Sequence, residues 1–293
     1  MMHTNSNLIL LDVGGTFIKA ALGVTRKGAA EGTFTSTPIS SDGSEEEITN
    51  AFREAVGGQM KQAQEKGFNI EAVCVAIPGP FDYNNGIFQM KHKFAAVYGK
   101  SFREILGDVI SPEVRLAFVH DVNGALLGAL TSMPELQEST VALATFGTGL
   151  GFSYAVEGAI QIANNGSPAT SLWNRPYEGG ILEDYVSRRG ILKTYAKLGG
   201  ILKDGEDVKE IADLARQGDE KALEAFKETG RHFVQGTEGM IRELGITSLL
   251  FAGQIARSFD LMEEEVRNGL GEGVKLAVLG DIQGTVLVGV ASL

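Results

Sequence analysis

The 293-residue sequence predicts a two-domain α/β protein, each domain a mixed sheet with helices packed against it. Three observations carry this prediction. An apolar run, a glycine turn and a returning apolar run occur near residue 12 and again near residue 147. Strand-like and helix-like periodicities alternate through both halves of the chain. Hydrophobic residues make up 43% of the sequence, enough for two packed cores.

The first half opens with the apolar run Leu8 to Val13, followed by Gly14-Gly15 and a second strand from Phe17 to Val24. Gly32 to Pro38 reads as a third strand. Ile48, Phe52, Val56, Met60 and Ala63 then recur at helical spacing behind the acidic Glu45-Glu46-Glu47, which favours a helix N-terminus. The apolar run 71–77 is a buried strand ended by Pro78-Gly79-Pro80. Residues 81–100 are irregular, Ser101 to Leu106 is a short helix, and Val114 to Val119 is a strand that delivers His120-Asp121 to a helix from Asn123 to Leu130.

The second half repeats the opening. Val141 to Phe146 and Gly151 to Val156 flank the turn Gly147-Thr148-Gly149, and helices are expected at 179–197, 207–216, 219–228 and 231–244. Strands at 248–252 and 274–279 precede helices at 258–269 and 282–292. The expected domains are an N-terminal lobe, 1–125, and a C-terminal lobe, 126–293, the last helix packing back near the N-terminal lobe.

Composition excludes several classes. A net charge of -11 with no basic stripe argues against nucleic-acid binding. No segment approaches the ~18 apolar residues of a membrane span, and the opening MMHTNSNLILLDVGG lacks the pattern of a signal peptide. One cysteine, Cys74 in an apolar run, reads as a core thiol. The expected location is cytoplasmic.

Neither glycine turn matches a Walker A loop, and Gly147-x-Gly149-x-Gly151 precedes a strand where the dinucleotide fingerprint requires a helix. Each alone reads equally as a tight hairpin. As a pair they suggest backbone N–H groups gathered around phosphate, with hydroxyls from Thr16 and Thr148. Asp12 is placed to hold Mg²⁺ through water. Lys19 reads either as a phosphate contact or as an exposed side chain.

LDVGGTFIKA at 11–20, IPGP at 77–80, HDVNGALLGAL at 120–130 and ATFGTGLGFSYAVEGAI at 144–160 together resemble the ROK family of sugar kinases and repressors. LEDYVSRRGI at 182–191, LLFAGQIARSF at 249–259 and LGDIQGTVLVGVA at 279–291 extend the match in the family's order. The resemblance implies a ribonuclease H-like fold of the actin/hexokinase ATPase type, with an ATP cleft between lobes. It implies transfer of the terminal phosphoryl group of ATP, with Mg²⁺, to a hydroxyl of a hexose or N-acetylated amino sugar. Asp121 matches the family's general base, although an Asp there is equally a helix cap. Asp12, Gly14, Gly15, Thr16, Lys19, Gly147, Thr148 and Gly149 match the phosphate turns, and Gly253-Gln254 matches the adenosine side. Gly79 and the loop 81–94 belong to the acceptor pocket. The family's homodimers or homotetramers are the expected assembly.

The acceptor side departs from the pattern. The family's Asn-Asp pair is His120-Asp121 here, and His120 reads either as a sugar contact or as packing behind the base. Region 164–183 contains no His and no Cys, so no structural zinc is expected there. Glu183 matches the family's last sugar-binding Glu. The preceding Glu-x-x-His has no counterpart, leaving Asn164, Asn165, Trp173, Asn174 and Glu178 as candidates. Lys91-His92-Lys93 and Arg188-Arg189 each read as a solvated face, although Lys91, His92 and Lys93 also suggest an anionic or already phosphorylated acceptor. Rival readings are a sugar or nucleotide sensor without activity and a kinase of a non-sugar acceptor. A repressor would need a DNA-binding segment ahead of residue 12, for which this sequence leaves no room.

Overall fold

The computed structural model describes residues 7–293. It divides into two compact units. The first runs to Pro134 and takes in Ile162–Ala169 and Gln283–Leu293; the second comprises Glu135–Gln161 and Thr170–Ile282.

The first unit is built on a six-stranded sheet. β1 (Leu8–Val13) pairs antiparallel with β2 (Phe17–Val24), which also pairs with β3 (Gly28–Ala29) and β4 (Thr35–Pro38). On its other side β1 runs parallel to β5 (Ala72–Ile77), and β5 runs parallel to β8 (Arg115–His120). β5 is an unbroken buried run, as expected of a central parallel strand. Cys74 lies inside it, and burial, opposed only by the charge of Arg115, pushes its thiol up to about 11, which leaves it unreactive.

The helix α1 (Glu45–Glu65) begins at a capping box in which Ser44 and Glu47 bond reciprocally. It buries Ile48, Phe52, Val56 and Ala63 against the sheet, with Met60 partly buried beside them. The expected strand 32–38 is shorter than its sequence suggests. Gly32 turns at φ 69°, and the buried Thr33 hydroxyl accepts from the Leu22 N–H (3.1 Å) and donates to the Ala30 carbonyl (2.7 Å). That side chain satisfies the backbone where a ladder would have continued.

Residues 81–100, expected to be irregular, contain the ribbon β6 (Phe81–Asp82) and β7 (Ile87–Phe88) over a buried aromatic cluster. Phe81 and Phe88 meet edge-on at 5.2 Å, and Phe52 and Phe102 at 5.1 Å. Phe102 opens the short helix α2 (Phe102–Leu106). β8 then leads directly into α3 (Asp121–Ser132), which packs on the C-terminal helix, Ile282–Val290. Contact between those helices is backbone to backbone. A Cβ on Gly128 would overlap the Thr285 carbonyl, and one on Gly289 would overlap the Gly124 carbonyl.

The second unit repeats the order around β9 (Thr140–Phe146). β9 is antiparallel to β10 (Leu150–Val156) and parallel to β14 (Ser248–Ala252); β11 (Ala159–Ile160) and β15 (Lys275–Val278) complete the sheet. The expected helix 179–197 is instead a hairpin and two helices. β12 (Pro176–Tyr177) and β13 (Gly180–Ile181) are joined through Glu178 at φ 48° and Gly179 at φ 77°. Two left-handed central residues suit the twist of a two-residue hairpin. α4 (Glu183–Val186) and α5 (Arg188–Lys197) follow, separated at the extended Ser187.

α6 (Val208–Arg216) is followed by α7 (Glu220–Glu243), one continuous helix where two were expected. Gly230 does not end it. Its missing Cβ would lie 3.0 Å from the Met262 carbonyl, so this glycine admits the start of α8 (Glu263–Leu270). A 3₁₀ turn at Ile255–Leu261 occupies the first part of the helix expected at 258–269, broken by Ser258 at φ -111°.

The α3 contact makes a stability prediction. Gly289→Val should destabilise the first unit by on the order of 3 kcal/mol, because backbone atoms cannot retreat as side chains do. Urea unfolding would measure this, and an unchanged midpoint would contradict the close crossing.

Candidate functional site

In the first unit, strand register gathers the candidate residues at one sheet edge. Asp12 is level with Ala76, Ala76 with Val119, and Ile77 with His120, all at the C-terminal ends of parallel strands. The first glycine turn, Pro78-Gly79-Pro80 and His120-Asp121 therefore leave the sheet from the same edge, the usual place for a ligand in such sheets.

The turn closes by a bond from Gly14 N–H to the Phe17 carbonyl (2.9 Å), while the Gly15 carbonyl accepts from Ser41 (3.0 Å) and the Thr16 carbonyl from Ile39 (2.9 Å). The Gly15 and Thr16 N–H groups have no intramolecular acceptor among the described residues. Asp12 and Lys19 lie directly opposite each other across the β1–β2 pair, with Nζ 3.6 Å from Oδ2. Lys19 is thus a partner of Asp12 and not a fully free cation. Burial raises the pKa of Asp12 above its ordinary value; Lys19 opposes the rise and the charge of Asp121 adds to it. Such a carboxylate gains from a nearby cation. A lone carboxylate of this kind fits Mg²⁺, which keeps several waters and is shared with phosphates.

Asp121 is the first residue of α3. Its Oδ1 lies 2.7 Å from the Val122 nitrogen and 2.7 Å from His120 Nδ1. Surrounding protein pushes this carboxyl toward its neutral form, but the charge and hydrogen bond of His120, the Val122 N–H and the charge of Lys93 outweigh that, so its pKa lies below the ordinary value. The carboxylate side chain keeps 45% of its surface exposed, whereas His120 keeps 20%.

Tyr83 is a residue the sequence reading missed. Its ring lies 5.8 Å from the His120 ring and its hydroxyl donates to the Ile77 carbonyl (3.0 Å). Burial, and then the charge of Asp121, raise its pKa far above the ordinary phenol value, so it stays protonated. Gly79 makes room for both rings. A Cβ there would stand 3.2 Å from the Tyr83 hydroxyl and 3.4 Å from His120 Cδ2. Asn165 belongs to this same unit. Its carbonyl accepts from Tyr83 N–H (3.0 Å), its Oδ1 caps Ser167 N–H (3.1 Å), and the neighbouring Asn164 carbonyl accepts from the Asn84 side chain (2.7 Å). Lys91 rests over the Tyr98 ring at 5.3 Å. Lys91, His92 and Lys93 are exposed between the buried Met90 and Phe94, and the Phe94 N–H is bonded to the Ser41 carbonyl.

In the second unit, the turn Gly147-Thr148-Gly149 is braced at both ends by the segment that starts α4 and α5. The Arg188 N–H donates to the Gly147 carbonyl (3.0 Å), and the Leu150 N–H donates to Glu183 Oε2 (2.8 Å). The Thr148 and Gly149 N–H groups have no intramolecular acceptor among the described residues. Glu183 also pairs with Arg189 (2.9 Å), and a Cβ on Gly149 would lie 2.6 Å from its Oε2. Gly253 turns at φ 96° after β14, its Cα against the Phe146 carbonyl, where any side chain would clash. A cavity of about 570 Å³ opens beside this turn, lined among others by Thr148, Arg188, Asp207, Gln254 and Arg257. Arg188, which the sequence suggested was merely solvated, holds Asp207 through Nε at 2.7 and 2.8 Å.

Glu178 sits exposed at the hairpin tip, and Trp173 is half exposed. The hairpin is held to α7 through Tyr177, whose hydroxyl donates to Gln235 Oε1 (2.7 Å) and meets His232 Nδ1 at 2.8 Å, while the Tyr185 ring of α4 lies tilted 4.9 Å from the His232 ring. Among the described residues no group of three or more His, Cys, Asp or Glu side chains is arranged to hold a metal, and no helix is long and apolar enough to cross a membrane.

A model described as the ROK family matches residues 8–275. Curated proteins give no match. Among solved structures, a protein from Cytophaga hutchinsonii classed as a sugar kinase aligns with a TM-score of 0.80 at 21% identity, over 97% of this chain and 98% of that one. A ROK family glucokinase from Streptomyces griseus, solved with glucose and AMPPNP, aligns at 0.75 and 20% identity over 97% of each chain. A ROK family transcriptional regulator homologous to the E. coli MLC protein aligns at 0.78 and 16% identity, over 98% of this chain and 78% of that one.

Two predictions follow from the second unit. Glu183→Ala removes the acceptor for Leu150 N–H and should destabilise the second unit by about 1 kcal/mol, read as a lower urea midpoint. An unchanged midpoint would show that the Gly147–Leu150 turn does not depend on this bond. Burial holds the His232 pKa below 6.5, against the opposing charges of Glu228 and Glu178. The unfolded chain therefore binds the proton first, so this residue's contribution is complete above that value and is lost as pH falls through the folded pKa. The melting temperature of the wild type should drop more between about pH 7 and pH 5 than that of His232→Gln; equal drops would rule out the coupling.

Proposed function

The chain belongs to the ROK family, and on that premise we propose that it transfers the terminal phosphoryl group of ATP to a hydroxyl of a hexose or N-acetylated amino sugar. The observation that carries this reading is the state of Asp121: an ionised carboxylate at a strand end, with Oδ1 held from two sides and Oδ2 unbonded among the described residues.

Phosphoryl transfer asks a protein mainly for alignment, charge stabilisation and a base. Asp121 takes the proton of the attacking hydroxyl as its oxygen bonds to the γ-phosphorus. The bond to the bridging oxygen breaks and ADP leaves. Within the first unit the amides of Gly15 and Thr16 are donors suited to phosphate oxygens, and within the second those of Thr148 and Gly149 are donors of the same kind. Asp12 would hold Mg²⁺, which neutralises phosphate charge when bound. The cavity beside Thr148, Arg188 and Gln254 takes the nucleoside, with Gly253 keeping its rim free of side chains. Gly79, His120 and Asn165 are the first unit's candidates for meeting the acceptor, and Glu183 and Glu178 are the second unit's. Likeness to a glucokinase bound to glucose and AMPPNP supports both substrate classes.

A second reading is a sugar-binding homologue without turnover, favoured by the likeness to a transcriptional regulator. ADP release measured with ATP and Mg²⁺ across hexoses, N-acetylated amino sugars, polyols and sugar phosphates separates the two. Asp121→Asn should lower kcat by about 10²-fold or more with the best acceptor. Full activity in that variant would overturn the mechanism, and saturable sugar binding without any turnover would favour the second reading.

A further inference from the structure

The cavity beside the second glycine turn carries an excess of positive charge in a chain whose net charge is -11. Four cations line it, Arg188, Lys209, Arg216 and Arg257, against two carboxylates, Asp207 and Asp213. Both carboxylates are already engaged. Asp213 meets Lys209 at 3.4 Å and Arg216 at 4.0 Å, while Asp207 accepts from Arg188 Nε (2.7 and 2.8 Å) and from Val208 N–H (2.7 Å).

Arg188 is held at both ends. Its backbone N–H donates to the Gly147 carbonyl (3.0 Å), which ties its Cα to the turn. Its Nε is fixed by Asp207, and Asp207 is itself fixed by the capping box that starts α6. A guanidinium carries five N–H donors in one rigid plane. Nε spends one of them, and the four on the two Nη atoms have no acceptor among the described residues. The side chain keeps 50% of its surface exposed, so those donors are open to a ligand in the cavity that Arg188 lines. The Thr148 N–H, one residue along the turn from Gly147, is also unspent. Two planar Nη groups near a free amide, on the wall of a net-positive cavity, make a donor set suited to phosphate.

We propose that Arg188 is a side-chain ligand for the phosphate chain of the donor nucleotide, with Asp207 as the residue that positions it. The inference rests on the reading of this cavity as the nucleotide's, and adds a fixed cation to a turn that otherwise offers backbone amides and a hydroxyl. As the bond to the bridging oxygen breaks, charge gathers on the departing diphosphate, where such a cation aids both binding and departure.

Titration calorimetry of the full chain with ADP and with adenosine separates a phosphate contact from a role in shaping the cavity. Arg188→Met should weaken ADP binding about 10-fold and leave adenosine unchanged. Asp207→Asn keeps a good helix cap but removes the charge that holds Nε; it should weaken ADP by a smaller factor, again without altering adenosine. Equal loss of both ligands in Arg188→Met, or no loss of ADP, overturns the proposal, as does a wild type that binds ADP no better than adenosine. Unchanged ADP affinity in Asp207→Asn overturns the positioning role. Turnover tells this failure from failure of the kinase reading. Arg188→Met with kcat and KM for ATP as in the wild type would remove Arg188 and leave the kinase standing. A loss confined to ADP, in a chain that turns over no acceptor, would keep Arg188 and remove the kinase.

Discussion

The alignment of three parallel strand ends, β1, β5 and β8, is the constraint on which the first unit's chemistry depends. A strand pair can slip only in whole residues, and a slip of one turns every side chain to the opposite face. Register here is held because β1 and β5 are buried almost throughout. The same hydrophobic demand that closes the core therefore fixes Asp12, Gly79 and His120-Asp121 at one edge.

Two carboxylates placed by that register are treated in opposite ways. Burial dominates at Asp12 and raises its pKa, even with Lys19 opposite. At Asp121, burial is outweighed by His120, Val122 and Lys93. The first is a poor place to keep a bare charge and a good one for a cation with its own ligands. The second keeps its charge through those neighbours and can accept a proton. Separate roles for two like groups thus come from their surroundings and not from their chemical type.

Much of this was legible from residues alone. The helix stripe from Ile48 to Ala63, the buried strand around Cys74 and both glycine turns follow from periodicity and composition, and the structure places all of them. Other features were misread because a local rule was overruled by a distant contact. The break expected between helices 219–228 and 231–244 is absent, and Gly230 in that gap is explained by the approach of Met262. Residues 179–197 looked helical because Tyr177 and its partner His232 are 55 positions apart, and no local pattern announces that pairing. Tyr83 carried no motif; its importance comes from Ile77, Gly79 and His120 closing around it.

The sequence by itself determined most element types, the repeated strand–turn–strand order and the candidate for the base, since these depend on local periodicity and on motif residues close together in the chain. Only the tertiary structure decided what those residues are bonded to. Lys19 became a partner of Asp12 through strand pairing, Glu183 a brace for the Gly147–Leu150 turn, and His120 a partner of Asp121 through Nδ1. Bond partners and proton positions are set by distances of a few ångströms between atoms, and in the first two cases those atoms come from segments brought together only when the core closes.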